Sequence, residues 1–198
     1  MSKPRIGVIL TSTRDNRFGE RPANWVLELA RARGDAEYEI VDLRDYPIPF
    51  FEAPMSPRFM PVENEVAVRF ARKLAELDGY IFIVAEYNRS ITGVLKNALD
   101  HLYGETERKP AAFVGYGAVG GARAVEQLRL MTIELAMAPM KSAVHIGMEP
   151  LIGMLQGGKD FADYDYLAPT VTAMLDELAW YTRTLKLGRE TEALEQAA

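Results

Sequence analysis

Across 198 residues, 23 Lys and Arg stand against 28 Asp and Glu, a formal net charge of −5, with 48% of positions hydrophobic, two His and no Cys. This suits one domain, residues 1–198, and excludes disulfides, Cys-ligated metals, cysteine nucleophiles and thiol redox motifs; two His also argue against a His-rich metal site. The acidic balance, with no Lys/Arg-rich stretch, argues against nucleic-acid binding, and no apolar run approaches the roughly 20 residues of a membrane helix.

The first strand is expected at Arg5 to Leu10, cut short by Thr11, Ser12 and Arg14 and so too brief for a signal-peptide core. A cytoplasmic protein is expected. The loop Thr11 to Gly19 then feeds a helix over about Arg21 to Arg33. Its hydroxyls, glycine and arginines sit where backbone N–H groups and the positive helix end converge, which suits an anion as well as an ordinary helix cap. Arg14 and Arg17 stand three apart, able to close on one phosphate, and with Arg21 they form a local basic cluster. There is no Walker A pattern. A second strand at Tyr38 to Leu43 precedes a Pro-rich, irregular stretch, Tyr46 to Pro61, and a helix over about Glu63 to Leu77.

Strand three, Gly79 to Val84, leads into Glu86-Tyr87-Asn88-Arg89-Ser90 and a helix over about Thr92 to Tyr103. Such a loop offers backbone donors and a flat surface to a planar ring, and Asn88 or Ser90 is the expected helix cap. Lys96 and Asp100, four apart, read as a solvated ion pair, and His101 as structural. Strand four, Ala111 to Gly115, is followed by Gly115-Tyr116-Gly117-Ala118-Val119-Gly120-Gly121. This matches G-x-G-x-x-G, but in the fourth strand–helix unit and without an acid at the spacing a ribose needs, so its content is close backbone approach to a ligand.

The next helix, about Ala122 to Met137, has Val125, Leu128 and Leu135 on one side and Leu130, Ile133 and Met137 on the other. A helix apolar on both sides wants two partners, the sheet and a second subunit. Strand five is expected at Ala143 to Gly147, an irregular flap at Met148 to Asp165, and a last helix over about Tyr166 to Leu187 with Trp180 facing away from its apolar stripe. Methionines from Met131 to Met154 read as packing. Five strand–helix units predict a doubly wound, five-stranded parallel sheet of order 2-1-3-4-5, with the site in the loops after strands one, three and four.

In S-T-R-D-N-R at Ser12 to Arg17, E-Y-N-R-S-I-T-G-V-L-K-N-A-L-D at Glu86 to Asp100 and G-Y-G-A-V-G-G-A-R-A at Gly115 to Ala124, the chain resembles the NAD(P)H-dependent FMN reductases, a flavodoxin-like family. The resemblance implies that Ser12, Arg14 and Arg17 hold the FMN phosphate. It implies that Glu86, Tyr87, Asn88 and Ser90 line the isoalloxazine ring, and that Gly117, Ala118, Val119 and Gly120 reach its pyrimidine side. No catalytic side chain and no metal site is implied. Bound FMN would pass electrons from NAD(P)H, the co-substrate, to a small acceptor such as a quinone, flavin, azo compound or metal oxyanion, in a homodimer or homotetramer. The alternatives are a flavin-binding electron carrier or redox sensor without NAD(P)H turnover, and a flavodoxin-like chain that has lost flavin. Thr11 stands where the family commonly has Gly, and Ala85 and Thr92 where it often has Pro. The lost prolines imply a looser ring loop.

Overall fold

The structure, a computed structural model, describes residues 2–197. Strands β1 (Arg5–Leu10), β2 (Glu37–Asp42), β3 (Gly79–Ala85), β4 (Pro110–Tyr116) and β5 (Ala138–Ile146) form one parallel sheet of order β2-β1-β3-β4-β5. Helices α1 (Glu20–Arg33), α2 (Glu65–Ala75), α3 (Gly93–Asp100), α4 (Ala122–Glu134), α5 (Met148–Gln156) and α6 (Leu167–Gln196) complete it. Strand order reverses between β1 and β3, so the loops leaving these strands open a crevice at the carboxyl edge of the sheet.

Alternation along the central strands divides the core. Ile81 and Ile83 of β3 and Ala112 and Val114 of β4 pack with Val26 of α1 and Leu175 and Leu178 of α6. Tyr80, Phe82 and Phe113 point the other way, onto Phe70 and Leu74 of α2, Leu95 and Leu99 of α3, and Leu128 of α4. Every residue of β3 and β4 is buried, as expected for parallel strands covered on both faces. Each large apolar side chain so enclosed contributes roughly 1.5–3 kcal/mol.

The structure corrects several expectations. β5 begins at Ala138, earlier than Ala143, and a register shift against β4 falls between Ala111 and Phe113. The flap after β5 contains α5 and a short 3-10 turn at Phe161–Asp163. The last helix runs on to Gln196, its extension held where Lys186 and Arg189 both donate to Asp78 at 2.8 Å. Met137 lies beyond the end of α4 and is buried in the core, so it does not join Leu130 and Ile133 outside. Met140 and Met154 are core as well. Residues 46–64 have no regular helix or strand, as the prolines predict.

Candidate functional site

β1 ends at Leu10 and gives way to Thr11, whose hydroxyl donates to the Ile83 carbonyl at 2.7 Å, while its own carbonyl accepts from the Thr92 hydroxyl at 2.6 Å. Thr92 is also the N-cap of α3, accepting from the Leu95 N–H, the role that Asn88 or Ser90 was expected to fill. The expected loosening from lost prolines is therefore offset: at Thr11 and Thr92, two buried hydroxyls tie the loops after β1 and β3 directly together.

The three arginines of the basic cluster, two in the first loop and Arg21 on α1, differ in what they hold. Arg17 is buried: Nη1 donates to the Ser12 carbonyl at 2.6 Å and to Asp42 at 2.7 Å, Nη2 to the other Asp42 oxygen, and Nε to Glu20 at 3.1 Å. This fork at the end of β2 curls the loop around one guanidinium, which is bidentate recognition of a carboxylate rather than of a ligand. Burial alone would raise the Asp42 carboxyl. The bonds from Arg17 and the Arg44 N–H overcome it and hold Asp42 below the ordinary aspartate range. Arg21 donates to the Met154 and Lys159 carbonyls and so anchors the end of α5. The basic cluster read from sequence is thus divided, two of its members engaged by the chain itself. Arg14 is exposed; its guanidinium lies 5.8 Å from the centroid of the Tyr87 ring and makes no hydrogen bond or ion pair among the described residues, while its carbonyl accepts from Arg44. The backbone N–H groups from Thr13 to Phe18 likewise have no acceptor among the described residues. They lead directly into α1, whose N-cap, Gly19, brings no side-chain acceptor to the helix start.

After β3 the backbone reverses tightly. Tyr87 and Ser90 exchange N–H···O bonds at 2.9 Å, and the intervening Asn88 and Arg89 lie at φ 50° and 69°, the double left-handed geometry of a type I′ turn. For Arg89 this conformation is strained, and the surroundings impose it. Glu86 takes both the Arg123 N–H, at 3.2 Å, and its guanidinium, at 2.8 Å; Ser90 bonds Gln127, whose amide donates to the Arg89 carbonyl. Side chains of Glu86 and Ser90 therefore face α4 and fix the turn, leaving the Asn88 edge exposed. Tyr87 reaches back across the crevice, its hydroxyl 3.0 Å from that of Ser12.

After β4, Gly117, Gly120 and Gly121 lie at φ 146°, 68° and 67°. At Gly121 the requirement is double, since a Cβ would also stand 2.6 Å from the Tyr116 nitrogen. His145 of β5 contacts the Gly120 carbonyl through Nδ1 at 2.9 Å. Ala118 and Val119 are exposed at the tip. Between the three loops lies a cavity of about 260 Å³ bounded by Ser12, Arg14, Asn16, Tyr87, Tyr116 and Gly117, and closed by Leu151 and Leu155 of α5. Burial pushes the Tyr116 phenol up to about 12, so it is a neutral wall of this cavity. Beyond Tyr87 a second cavity, of about 670 Å³, opens toward α3 and shares Ser12, Arg14 and Tyr87 with the first.

Ser12, Arg14, Tyr87 and Gly117 thus meet in one cavity that Arg17 and Glu86 also border, Asn88, Ala118 and Val119 sit at the tips of its loops, and Ser90 and Gly120 brace them. Sequence reasoning missed the contribution of α5. It also missed Asp42, whose role appears only once β2 lies beside β1.

Residues 4–150 match the family model described as NADPH-dependent FMN reductase. An NAD(P)H-dependent FMN reductase of Schizosaccharomyces pombe is 32% identical over 167 residues, covering 81% of this chain and 83% of its own. A 2-hydroxy-1,4-benzoquinone reductase of Burkholderia sp is 34% identical over 132 residues, 63% of this chain and 68% of its own. Among solved structures, the fold is similar to that of a flavoenzyme NAD(P)H:(acceptor) oxidoreductase from Paracoccus denitrificans, with a TM-score of 0.70 and 22% identity over 90% of this chain and 98% of that one.

Proposed function

Because the chain belongs to the NADPH-dependent FMN reductase family, we propose that its three carboxyl-edge loops hold FMN in an oxidoreductase that carries electrons from NAD(P)H to a small acceptor such as a quinone. The observation that carries this placement is the donor set of the first loop: N–H groups without acceptors, the Ser12 hydroxyl and the Arg14 guanidinium, gathered at a helix start. That set fits a phosphate dianion. The slot beside it fits a flat ring, because a Cβ at Gly117 would stand 3.2 Å from the Glu86 Cβ and narrow the space between the two loops.

When bound, FMN supplies a two-electron relay between nicotinamide and acceptor. The chain's own residues bind and orient it. Arg14 neutralises phosphate charge, and Ser12 exchanges its bond to Tyr87 for one to a phosphate oxygen. Arg17 acts through the Ser12 carbonyl and Asp42, setting the shape of the loop. Glu86 and Ser90 keep the I′ turn rigid, so that the backbone around Tyr87 and Asn88 presents a fixed edge to the ring. The N–H groups of Ala118 and Val119, which lack acceptors among the described residues, would serve as donors to negative charge that develops on the ring. Leu151 and Leu155 exclude water from one side. The reaction balances without a protein acid: NAD(P)H gives up two electrons and one proton, and a quinone takes two electrons and two protons, the second from water.

The chain acts as one domain, in the cytoplasm where NAD(P)H is replenished, as a homo-oligomer built on the outer face of α4. Among the described residues no helix is long and apolar enough to cross a membrane. The test is a visible spectrum of the purified protein and an anaerobic titration with NADH and NADPH. Flavin absorbance that bleaches with one equivalent supports the reading. A colourless chain that takes up no FMN on reconstitution overturns it, and bound flavin that neither nucleotide reduces points to a carrier or sensor instead.

A further inference from the structure

Residues 147–165 fold back from the end of β5 onto the 260 Å³ cavity, which Leu151 and Leu155 of α5 close. Most of this segment lies past the residues that match the family model, which end at 150. α5 has only nine residues, Pro150 and Gly153 among them, so helix propensity alone does not keep it in place. Contacts with α1 do.

Arg21 stands in the first turn of α1, where the positive helix end disfavours a cation. Its guanidinium reaches away to a terminus of the opposite sign. Nη1 donates to the Met154 carbonyl in the last turn of α5, and Nη2 reaches the Lys159 carbonyl just beyond it at 3.5 Å. A helix leaves such last-turn carbonyls without intrahelical donors, and they carry the negative end of its dipole. One turn along α1, Trp25 stacks on the buried Phe161, ring centroids 4.1 Å apart and planes 6° from parallel. Between these two holds the chain turns at Gly157 and Gly158, the latter at φ 67°, and α5 is preceded by Gly147 at its other end.

The placement of Arg21 separates its role from that of Arg14. Arg14 bounds the cavity and Arg21 does not. With its donors spent on α5, Arg21 holds a wall rather than a ligand. A flavin enclosed by Leu151 and Leu155 leaves only when α5 moves, and α5 swings between its flanking glycines once the contacts of Arg21 break.

We propose that residues 147–165 are a lid over the bound flavin and that Arg21 is its latch, a positioning residue that keeps FMN resident through turnover by acting on α5 and not on the phosphate. The proposal deepens the flavin reading and rests on it. Latched, the chain reduces an acceptor that comes to it; unlatched, it gives FMN up as free flavin.

The test starts on the flavin-free chain. In Arg21→Ala, amide hydrogen exchange over 148–156 is expected to speed up at least about tenfold while that of β3 and β4 stays unchanged, and Arg21→Lys to recover part of the protection. On the loaded protein, FMN dissociation followed by flavin fluorescence after dilution is expected to be at least about fivefold faster in Arg21→Ala, with association no slower. Riboflavin, which lacks the phosphate, should be weakened by the same factor as FMN, whereas Arg14→Ala should weaken FMN alone. Leu151→Ala with Leu155→Ala should also speed FMN release, and adding Arg21→Ala to that pair should change the rate by less than about twofold, because the lid has already lost its grip. Unchanged exchange over 148–156, slower association in Arg21→Ala, a loss confined to FMN, or full additivity with the leucine pair each overturns the proposal. If the chain takes up no FMN, the flavin reading fails by itself, and the exchange measurement still decides whether Arg21 latches the segment.

Discussion

Two arginines three residues apart in one loop divide the work between folding and binding. Arg17 is enclosed by Asp42, Glu20 and the Ser12 carbonyl, whereas Arg14 is exposed above Tyr87. Arg14→Ala is therefore expected to weaken FMN roughly ten- to a hundredfold, the value of a charge-assisted contact of about 1.5–3 kcal/mol, with flavin-free stability unchanged. Arg17→Ala is expected to cost about 2–3 kcal/mol of flavin-free stability, somewhat below a fully enclosed pair because Asp42 keeps some exposure. Because the folded-state pKa of Asp42 is depressed, that contribution is complete above the ordinary aspartate value and is lost as pH falls through the depressed one. Urea midpoints at pH 7 and pH 3 check it: the gap between wild type and Arg17→Ala should shrink at the lower pH. A loss of FMN affinity without a loss of stability would make Arg17 a direct phosphate ligand. A third charged residue reports on the opposite end of the sheet. Lys109 is buried against the last carbonyls of α2, donating to Leu74 at 3.0 Å and Ala75 at 2.7 Å. Burial, with Arg189 nearby, pulls its ammonium down to about 8. Above that pH the folded chain has released a proton that the unfolded chain still holds, so stability rises with pH toward the ordinary lysine value. Wild type should gain roughly 1–2 kcal/mol between pH 8 and about 9.5 relative to Lys109→Met, read from urea melts at each pH.

At the scale of the element, the loops owe their rigidity to caps and turns rather than to proline. Thr92 both caps α3 and donates to the Thr11 carbonyl. Thr92→Ala is expected to cost about 1–2 kcal/mol in a urea melt, and Thr92→Ser to recover most of it. Glycines with the same dihedral sign need not matter equally. At Gly34, which ends α1 at φ 69°, a Cβ meets nothing within 4 Å, so Ala there should cost about 1–2 kcal/mol. At Gly121, at nearly the same φ, the Cβ would collide with backbone of β4, so Gly121→Ala should lose FMN binding and a larger share of stability. These contrasts also show what a sequence can reveal. The strands and the helices around α1 to α4 were legible because they are long, periodic and bounded by Gly, Pro or hydroxyl caps. α5 was not: Met148–Gln156 is short, apolar on most sides and interrupted by Pro150 and Gly153, so it carries no readable stripe. The site loops were legible as loops, since their chemistry is local. The partner of Arg17 was not, because Asp42 comes from a neighbouring strand 25 residues away, and neither were the bonds of the Asn97 amide to the backbone of Ile48 and Phe51, 46 to 49 residues back.

For the whole molecule, the question is what covers α4. Its inner side, Ala124, Val125 and Leu128, is fully buried against the sheet, yet Leu130 and Ile133, one turn apart on the outer side, are 68% and 57% exposed. Trp180 is 56% exposed too, but α6 packs on the other face of the sheet, so it does not extend the same patch. Isolated exposed leucines need no explanation, whereas two large aliphatic side chains on successive turns, on a helix that also braces the ring loop through Arg123 and Gln127, form a surface worth covering. A two-fold axis beside α4 would pair the patch with itself, the closed arrangement most soluble oligomers adopt. Such a contact would also stiffen the helix to which Glu86 and Ser90 anchor the turn after β3. Leu130→Glu with Ile133→Glu places four carboxylates at that axis. Sedimentation at micromolar concentration should then shift from dimer or tetramer in wild type to monomer in the double variant. FMN affinity should fall with it, because the anchor of the ring loop would lose its support. A wild-type chain that already sediments as a monomer, or a double variant that stays assembled, would show that α4 is not the interface.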